Sequence, residues 1–366
     1  MLELTHCRSR QRRLLDVIQG VGLDAVVIGD PQHVYYFTGH RPFWQHFAGF
    51  VLFSDGRSVL IRSASADKAA AADDIIPYEA AWMCTNRQEQ PMLIGSELAR
   101  ALGSRRLRRV CVDASTVCSQ LPLMFNGDLI PIDPDLYRLR RVKDPDELAI
   151  MRRAIACTKG MYERAREIIE PGISELRVYE ELHATAVQIA GEPLSAYLGN
   201  DFACGEKGGP PRKDRLAKAG ELYLLDLGPA VAGYFSDNCR AFSVDRKITD
   251  VQHKAFEIVT GVFPMVENLA KPGVRCRDIF AAVNDYYREK TGRDFPHHLG
   301  HGVGLQPHEF PHLNPKWDDT LMEGEVFTCE PGLYAPELKA GIRIENQYLV
   351  TKSGVENLTP FGMEME

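Results

Sequence analysis

Two stretches of the sequence, residues 220–228 and 324–332, share one plan: Gly-Glu, an apolar run that ends in an acid, and a glycine. A second acid, followed by asparagine, comes after each stretch. The first pair of acids is Asp226 and Asp237, and the second pair is Glu330 and Glu345. A short apolar run closed by Gly or Pro is typical of a buried strand. A single acid beside such a strand is more often a turn or cap residue, but the repetition favours a site.

Four carboxylates that meet in one place have a definite chemistry. Like charges in contact raise each other's pKa, so the group cannot stay fully ionised without cations. Two divalent ions cancel four negative charges, and oxygen-rich ligand sets suit Mn²⁺, Co²⁺, Fe²⁺ or Zn²⁺ rather than soft metals. If the two stretches face each other, the sequence predicts a site for two divalent metal ions.

A possible nitrogen ligand lies between the two pairs of acids. One glycine-rich segment contains His297, His301 and His308. One isolated histidine is more often packed or exposed than a ligand, but three beside glycines, which allow close approach of the backbone, favour a site. His298 and His312 are expected to support that site or to lie on the surface.

Arg343 precedes Glu345 by two positions. Alternation along a strand puts the two side chains on the same face. Arg343 could therefore serve both as an ion-pair partner of Glu345 and as a contact for the substrate.

The duplication extends upstream. Residues 170–179 and 271–280 both contain a Pro-Gly break followed by an amphipathic helix pattern. Such repetition predicts two related halves, each built as helix, break, helix and then a carboxylate-bearing hairpin. The second half is expected to begin near Thr249, and a long loop is expected over residues 193–219. Ser174 is expected to cap a helix with Leu176, Tyr179, Leu182 and Ala186 on one face.

The N-terminal part has a different pattern. Helix signals at 8–19 and 93–102 alternate with strand signals at 22–29 and 109–113, and Asp55-Gly56 predicts a hairpin. We also expect a helix at 64–72 and an extended segment at the β-rich Val34–Thr38. This alternation predicts an α/β domain. Asp144-Pro145 is a strong helix start, so we expect domains at 1–140 and 141–366.

Composition limits the partners. The net charge is −7, and the basic run of Arg105, Arg106, Arg108 and Arg109 is short, so we expect neither a nucleic-acid nor a membrane partner. The cysteine count of nine is odd and no Cys-x-x-Cys occurs, which favours reduced thiols over disulfides. The start of the chain lacks a signal-peptide pattern, and no apolar run is long enough to span a membrane. A cytoplasmic location is expected.

Together these residues resemble the metal signature of the pita-bread metallopeptidases, which include prolidases, aminopeptidase P and methionine aminopeptidase. The motifs that carry the resemblance are His-His-Leu-Gly-His-Gly-Val-Gly-Leu, Glu-Pro-Gly-Leu-Tyr and Gly-Ile-Arg-Ile-Glu-Asn. The first 140 or so residues resemble the creatinase-type N-terminal domain, including Val-Tyr-Tyr-Phe-Thr-Gly. The resemblance implies an α+β fold: a C-terminal pita-bread domain with an internal pseudo-two-fold duplication, and a smaller α/β N-terminal domain.

The resemblance also implies roles for residues. Asp226 would bind one metal, Asp237 and Glu345 would bridge both, His301 would bind the second, and Glu330 would bind a metal and shuttle protons. His297 and His308 would contact the substrate and the developing oxyanion, and Arg343 is a further candidate for substrate binding. The two ions would be manganese first, with cobalt, zinc or iron as alternatives, and the chain would form a homodimer or homotetramer.

Two positions depart from the family pattern. Gly209 stands where a histidine is usual, five residues before Asp214-Arg215, and Cys239 stands where a threonine is usual. The implied function is a dinuclear hydrolase that cleaves a short peptide before proline through a metal-bridging hydroxide. A metallohydrolase acting on a small non-peptide amide, with Gly209 enlarging the pocket, is the alternative. A non-catalytic binding protein on the same scaffold is a third possibility.

Overall fold

The computed structural model describes the chain except for residues 42–45, 65–68, 81–89, 104, 115–120, 122–124, 197–198 and 200. It divides into two compact units, Met1–Arg140 and Arg141–Glu366. Each unit mixes helices with a sheet, and each has its own buried apolar core. In the described part of the chain, no helix combines the length and apolar character needed to cross a membrane. The cysteines within it are free and buried.

The first unit is built on one mixed sheet of six strands in the order β4-β3-β2-β1-β5-β6. Its interior combines apolar residues of the central strands with the inner face of the third helix. The elements are α1 (Leu4–Gly20), β1 (Ala25–Ile28), α2 (Pro31–Thr38), β2 (Gly49–Phe53), β3 (Ser58–Ser63), β4 (Asp74–Tyr78), α3 (Gln90–Gly103), β5 (Arg109–Val112), β6 (Asp128–Pro131) and α4 (Asp133–Arg141).

Most sequence expectations for this unit are confirmed, including the β2–β3 hairpin, but Val34–Thr38 is not extended. It lies in α2, because the Asp30 carboxylate accepts from two backbone N–H groups of the first turn and Pro31 stands at the helix start. These start signals outweigh the β preference of the aromatic and branched residues. The helix expected at 64–72 partly falls outside the described residues, and 69–72 lie outside any helix.

The second unit contains a three-stranded sheet, β11-β8-β7, and a five-stranded sheet, β13-β12-β14-β17-β18. Its helices are α5 (Pro145–Ile168), α6 (Glu175–Ala190), α7 (Asp250–Thr260), α8 (Val262–Leu269) and α9 (Cys276–Thr291). Its strands are β7 (Asp201–Cys204), β8 (Leu222–Leu227), β9 (Ala230–Val231), β10 (Tyr234–Phe235), β11 (Asn238–Ser243), β12 (Gly300–Gly302), β13 (Glu309–Leu313), β14 (Val326–Cys329), β15 (Gly332–Ala335), β16 (Ala340–Arg343), β17 (Asn346–Val350) and β18 (Val355–Asn357).

The two halves of this unit form equivalent backbone hydrogen bonds after their Pro-Gly breaks. After the first Pro-Gly break, the N–H of Gly172 donates to the carbonyl of Ala217 over 2.8 Å, and after the second, the N–H of Gly273 donates to that of Leu321 over 2.9 Å. Ser174 and Arg275 then form equivalent antiparallel bridges with the segments that lead into β8 and β14. The backbone therefore carries the duplication that the sequence predicts.

Two local expectations for this unit are wrong. Leu176 is exposed, and Val178 is buried instead beside Leu182 and Ala186, because the buried stripe of α6 is rotated toward α5. The segment 193–219 is not all loop, since Asp201–Cys204 forms β7 and pairs with β8. That strand is short and begins with an acid, which hides it from a pattern search.

Candidate metal centre

Asp226 and Asp237 lie on one face of the β8–β11 hairpin. Asp226 is directly opposite Cys239 in the antiparallel register, and Asp237 stands two residues before Cys239. Opposed residues point to the same face of a sheet, and so do residues two apart. The hairpin therefore presents both carboxylates to the same side, and both side chains are buried.

Glu330 and Glu345 hold the equivalent place between β14 and β17. Cys329 pairs with Asn346 in register, so the two glutamates follow as the next opposed positions. The halves are joined at this point, because the N–H of Glu345 donates to the carbonyl of Cys239 over 2.9 Å. This bond brings the second acid of one half against the hairpin of the other.

The four acids and one imidazole converge. Oxygen atoms of Asp226, Asp237 and Glu345 lie within 4.8 Å of one another, and so do ligand atoms of His301, Glu330 and Glu345. Glu345 belongs to both groups. The two groups of candidate ligand atoms therefore overlap at one carboxylate.

His301 is held in the tautomer that a metal ligand needs. Its Nδ1 lies 3.0 Å from the carbonyl oxygen of Gly302, so Nδ1–H donates there and Nε2 keeps its lone pair. Nε2 faces the carboxylates, 3.5 Å from Glu330 Oε1 and 3.7 Å from Asp237 Oδ2. The buried imidazole therefore points its free nitrogen into the acidic group.

The other histidines surround this nitrogen. His308 has an exposed side chain, stacks on His301, and has a ring atom within 4.8 Å of the ligand atoms of His301 and Asp237. His298 Nδ1 lies 3.4 Å from Glu330 Oε1. His297 Nδ1–H donates to the carbonyl of His298 over 2.7 Å, which leaves His297 Nε2 as the acceptor for the Tyr334 hydroxyl at 3.1 Å.

Arg343 joins the site through acids other than Glu345. Its Nη2 pairs with Asp226 Oδ2 at 2.7 Å and with the carboxylate of Asp201, and its Nη1 donates to the Tyr334 hydroxyl over 3.3 Å. The alternative of a simple Arg343–Glu345 ion pair is not what the geometry shows. The guanidinium is part of the wall of the site.

Comparison with known proteins places this architecture. The model of the creatinase/prolidase N-terminal domain matches residues 10–142, and that of metallopeptidase family M24 matches residues 149–352. The chain belongs to metallopeptidase family M24. It is therefore an enzyme of the peptidase class, which removes the binding-protein alternative.

Relatives of this M24 chain match it over nearly its whole length. An uncharacterised peptidase of Staphylococcus aureus (strain MW2) is 30% identical over 363 residues, covering 95% of this chain and 98% of that protein. An uncharacterised peptidase of strain USA300 matches at the same identity and coverage.

Solved structures show the same fold. The Xaa-Pro dipeptidase from Bacillus anthracis has a TM-score of 0.85 at 24% identity and covers 98% of this chain and 99% of its own. The prolidase from Pyrococcus furiosus has a TM-score of 0.81 at 23% identity and covers 95% and 99%. The predicted fold, a creatinase-type N-terminal domain followed by a pita-bread domain, is confirmed.

The buried carboxylates of the M24 site need positive charge nearby in order to stay ionised. Burial and then the neighbouring carboxylates of Asp226 and Glu330 raise the pKa of Asp237 well above its usual value. Burial raises the pKa of Glu330 to about 8, although the Arg343 guanidinium opposes the rise. Burial lowers the pKa of His301, so its imidazole is neutral. Divalent cations would stabilise the ionised form of these carboxylates beyond what Arg343 provides.

The donors fit the metal ions of the family. Asp226 Oδ1 and Glu330 Oε1 are buried and have no hydrogen-bond partner within the described residues. A buried carboxylate oxygen without a partner is costly, and a divalent ion would satisfy both. With the free Nε2 of His301, the set offers oxygen and nitrogen atoms suited to hard or borderline metals.

Sequence reasoning missed two residues of the site. Asp201 lies within the segment predicted as loop, and its one signal was a charge before an apolar triplet. Tyr334 belongs to the Glu-Pro-Gly-Leu-Tyr motif, but no role followed from the motif alone. His298, which was expected to support the site or to lie on the surface, lies beside Glu330 and is placed to support it.

Proposed function

We propose that this M24 enzyme is a dinuclear metal-dependent peptidase that cleaves a short peptide on the N-terminal side of proline. The observation that supports it is the convergence of acids from both halves with His301 into two ligand groups sharing Glu345. The printed names of the structural relatives, an Xaa-Pro dipeptidase and a prolidase, support the choice of substrate. Proline lacks an amide N–H and has a fixed φ, so a rigid pocket can select it by shape.

In this proposal Asp226, Asp237, His301, Glu330 and Glu345 hold the two ions. When bound, such a pair of ions supplies an activated water and polarises the scissile carbonyl. Manganese is the proposed metal, with cobalt, zinc or iron as alternatives.

The protein's own groups move the protons and orient the substrate. Glu330 is the general base and acid in this proposal, because its carboxylate lies within the ligand group where the ions would hold the attacking water. The carboxylate oxygen of Glu330 that does not hold an ion would take a proton from that water and pass it to the leaving amine. His298 beside it would steady the carboxylate.

His297 and His308 face the substrate in this proposal. Burial lowers the pKa of His297 to about 4, so the ring is neutral and Nε2 acts through the Tyr334 hydroxyl. His308 stands over His301 with an exposed side chain and is placed to donate to the developing oxyanion. Arg343 holds both the Tyr334 hydroxyl and the Asp226 carboxylate. It therefore supports the substrate-facing part of the site as well as the ligand group.

The test compares E330Q and H301A with E356Q and H253Q, which change an exposed acid and an exposed histidine elsewhere. We expect manganese-loaded wild type, E356Q and H253Q to release proline from Xaa-Pro peptides. E330Q should lose at least about a hundredfold in kcat, and H301A should lose activity together with metal. Full turnover by both site variants would refute the proposal.

A second substrate class has a specific observation in its favour. A Cβ atom placed on Gly209 would meet no atom of the described residues within 4 Å, so among these residues open space stands where the family usually has a histidine side chain. A small non-peptide amide could use that space. Metal-loaded enzyme should be offered N-acyl and N-alkyl amino acids beside the peptides. Turnover of that panel alone would favour this alternative.

A further inference from the structure

Asp201 is a fifth carboxylate at the metal centre. It is the first residue of β7 and stands directly opposite Asp226 in the antiparallel β7–β8 pair. Side chains in that relationship point to the same face, with Cβ atoms about 5 Å apart. The Asp201 side chain is 14% exposed and the Arg343 side chain 11%, so the two are enclosed together at the edge of the ligand group.

The loop after β7 fixes the orientation of this carboxylate. The N–H of Gly209 donates to Asp201 Oδ1 over 2.5 Å, and the N–H of Phe202 donates to the carbonyl of Gly209 over 2.7 Å. A Cβ atom on Gly208, where φ is +148°, would lie 2.7 Å from the Asp201 carboxylate. The loop therefore closes tightly on one oxygen of Asp201 and leaves the other to Arg343.

Arg343 is consequently shared between two protein carboxylates. Its Nη2 is engaged by Asp201 and Asp226, and its Nη1 contacts the Tyr334 hydroxyl. Arg343 is also the cation that opposes the raised pKa values of Asp237, Glu330 and Glu345. Its positive charge is thus balanced by carboxylates of the protein, although the sequence suggested Arg343 as a contact for the substrate.

This arrangement bears on the substrate of the proposed function. In a dipeptide that ends in proline, one nitrogen and one Cα separate the free carboxylate from the scissile carbonyl, a distance of roughly 4 Å. That carboxylate would lie close to Asp201 in a region where the nearby cation, Arg343, is already paired with Asp201 and Asp226. Like charges held close in a partly desolvated site repel strongly.

We propose that Asp201 is a specificity-determining residue that selects against a free carboxylate on the residue after the scissile bond. The favoured substrates are then peptides that continue beyond proline, or prolyl amides, and the activity is that of an aminopeptidase rather than a dipeptidase. The inference rests on the proposed function and narrows it.

The kinetic test uses matched substrates, Ala-Pro and Ala-Pro-amide, with manganese-loaded enzyme. Wild type should favour the amide in kcat/KM by roughly tenfold, about 1.4 kcal/mol. D201N and D201A should move the ratio by about as much toward the dipeptide, through KM. E206Q is the matched control, since Glu206 is an exposed acid of the same loop that pairs with Arg212, and its ratio should stay within twofold of wild type.

A binding measurement separates this inference from the proposed function. L-Proline and L-prolinamide differ in the same carboxylate, and calorimetry on metal-free protein compares their affinities without turnover. Wild type should bind prolinamide more tightly, and D201N should gain affinity for proline. Absence of peptide hydrolysis would remove the proposed function, while the binding difference still tests Asp201.

Several outcomes would overturn the inference. They are a wild-type preference for the dipeptide, an unchanged ratio in folded D201N and D201A, or equal affinity of wild type for the two ligands, including no binding of either. If both variants fail to fold, the inference is judged on the wild-type preference between Ala-Pro and Ala-Pro-amide and on the wild-type difference in affinity for proline and prolinamide.

Discussion

The imidazole rings of His301 and His308 lie nearly parallel, with centroids 3.6 Å apart and planes inclined by 10°. His301 is buried and turns Nε2 toward the carboxylates, whereas the side chain of His308 is exposed. The two rings therefore occupy successive layers, one within the candidate metal centre and one over it. This difference in depth makes their proposed roles separable by experiment.

We expect H301A to lose one of two metal ions and H308A to keep both. His301 supplies the nitrogen of one ligand group, so its removal weakens that ion, while His308 stands toward the substrate. Metal content after gel filtration should fall from about two ions per chain to about one in H301A only. H308A should lose roughly a hundredfold in kcat/KM. Equal metal loss in both variants would contradict the layered arrangement.

Metal removal should lower the stability of the protein. The buried carboxylates of Asp226, Asp237, Glu330 and Glu345 repel one another when no cation is present. Manganese at 100 times its Kd should raise the free energy of unfolding by about 2.7 kcal/mol for each ion bound, measured by urea denaturation after chelation and after metal addition. D237N should respond less, and a response equal to that of wild type would count against the ligand set.

Lys143 anchors the segment that carries His308. Its Nζ lies 3.2 Å from Glu309 Oε2, with the two side chains 1% and 10% exposed, and Glu309 Oε1 accepts the N–H of Gln306 over 2.9 Å. K143M would remove the cation that pairs with Glu309 in a mostly enclosed ion pair, and breaking such a pair costs about 3–5 kcal/mol. We expect that loss of stability in urea denaturation, together with a raised KM.

The control for this prediction is an exposed ion pair in the same unit. Arg152 and Glu356 are 50% and 46% exposed, and such pairs contribute about 0–1 kcal/mol. R152M should therefore change neither stability nor KM appreciably. A K143M variant as stable as R152M would show that the Lys143–Glu309 pair is not an anchor.

Glu175 should make stability depend on pH in the acid range. Burial opposes its ionisation, but the Arg212 guanidinium and the N–H groups of Cys204 and Arg212 outweigh burial and lower the pKa of Glu175. A folded-state pKa below the unfolded value stabilises the protein above the unfolded pKa of about 4.5, and that contribution is lost as pH falls through the folded pKa.

We therefore expect wild type to be more stable than E175Q at pH 7 and the difference to shrink as pH falls below about 4.5. Urea denaturation of both proteins at several pH values measures it, and the comparison cancels the titration of other acids. A difference that stays constant or grows toward low pH would refute the assigned direction.

Local patterns predicted the repeated elements well. The Pro-Gly breaks, the Ser174 cap, the start of the second half near Thr249 and the two acid-bearing hairpins all depend on contacts between residues close in sequence. The repetition also pointed to a meeting of the halves, since each half carried the same unpaired acids. The prediction of an extended segment at Val34–Thr38 failed because a capping carboxylate just before it outweighed the intrinsic β preference of its residues.

The sequence by itself determined the types of the ligand residues and the hairpins that carry them, because turn and strand signals are local. The tertiary structure decided which atoms point into the candidate metal centre: Nε2 of His301, through its tautomer, and the oxygens of Asp226 and Glu330 that have no hydrogen-bond partner within the described residues. The join between Glu345 and Cys239 was decided there as well. It also decided that Arg343 is held by Asp201, a residue from a strand more than a hundred positions away. Such partners depend on the register of strands distant in sequence, which no local pattern encodes.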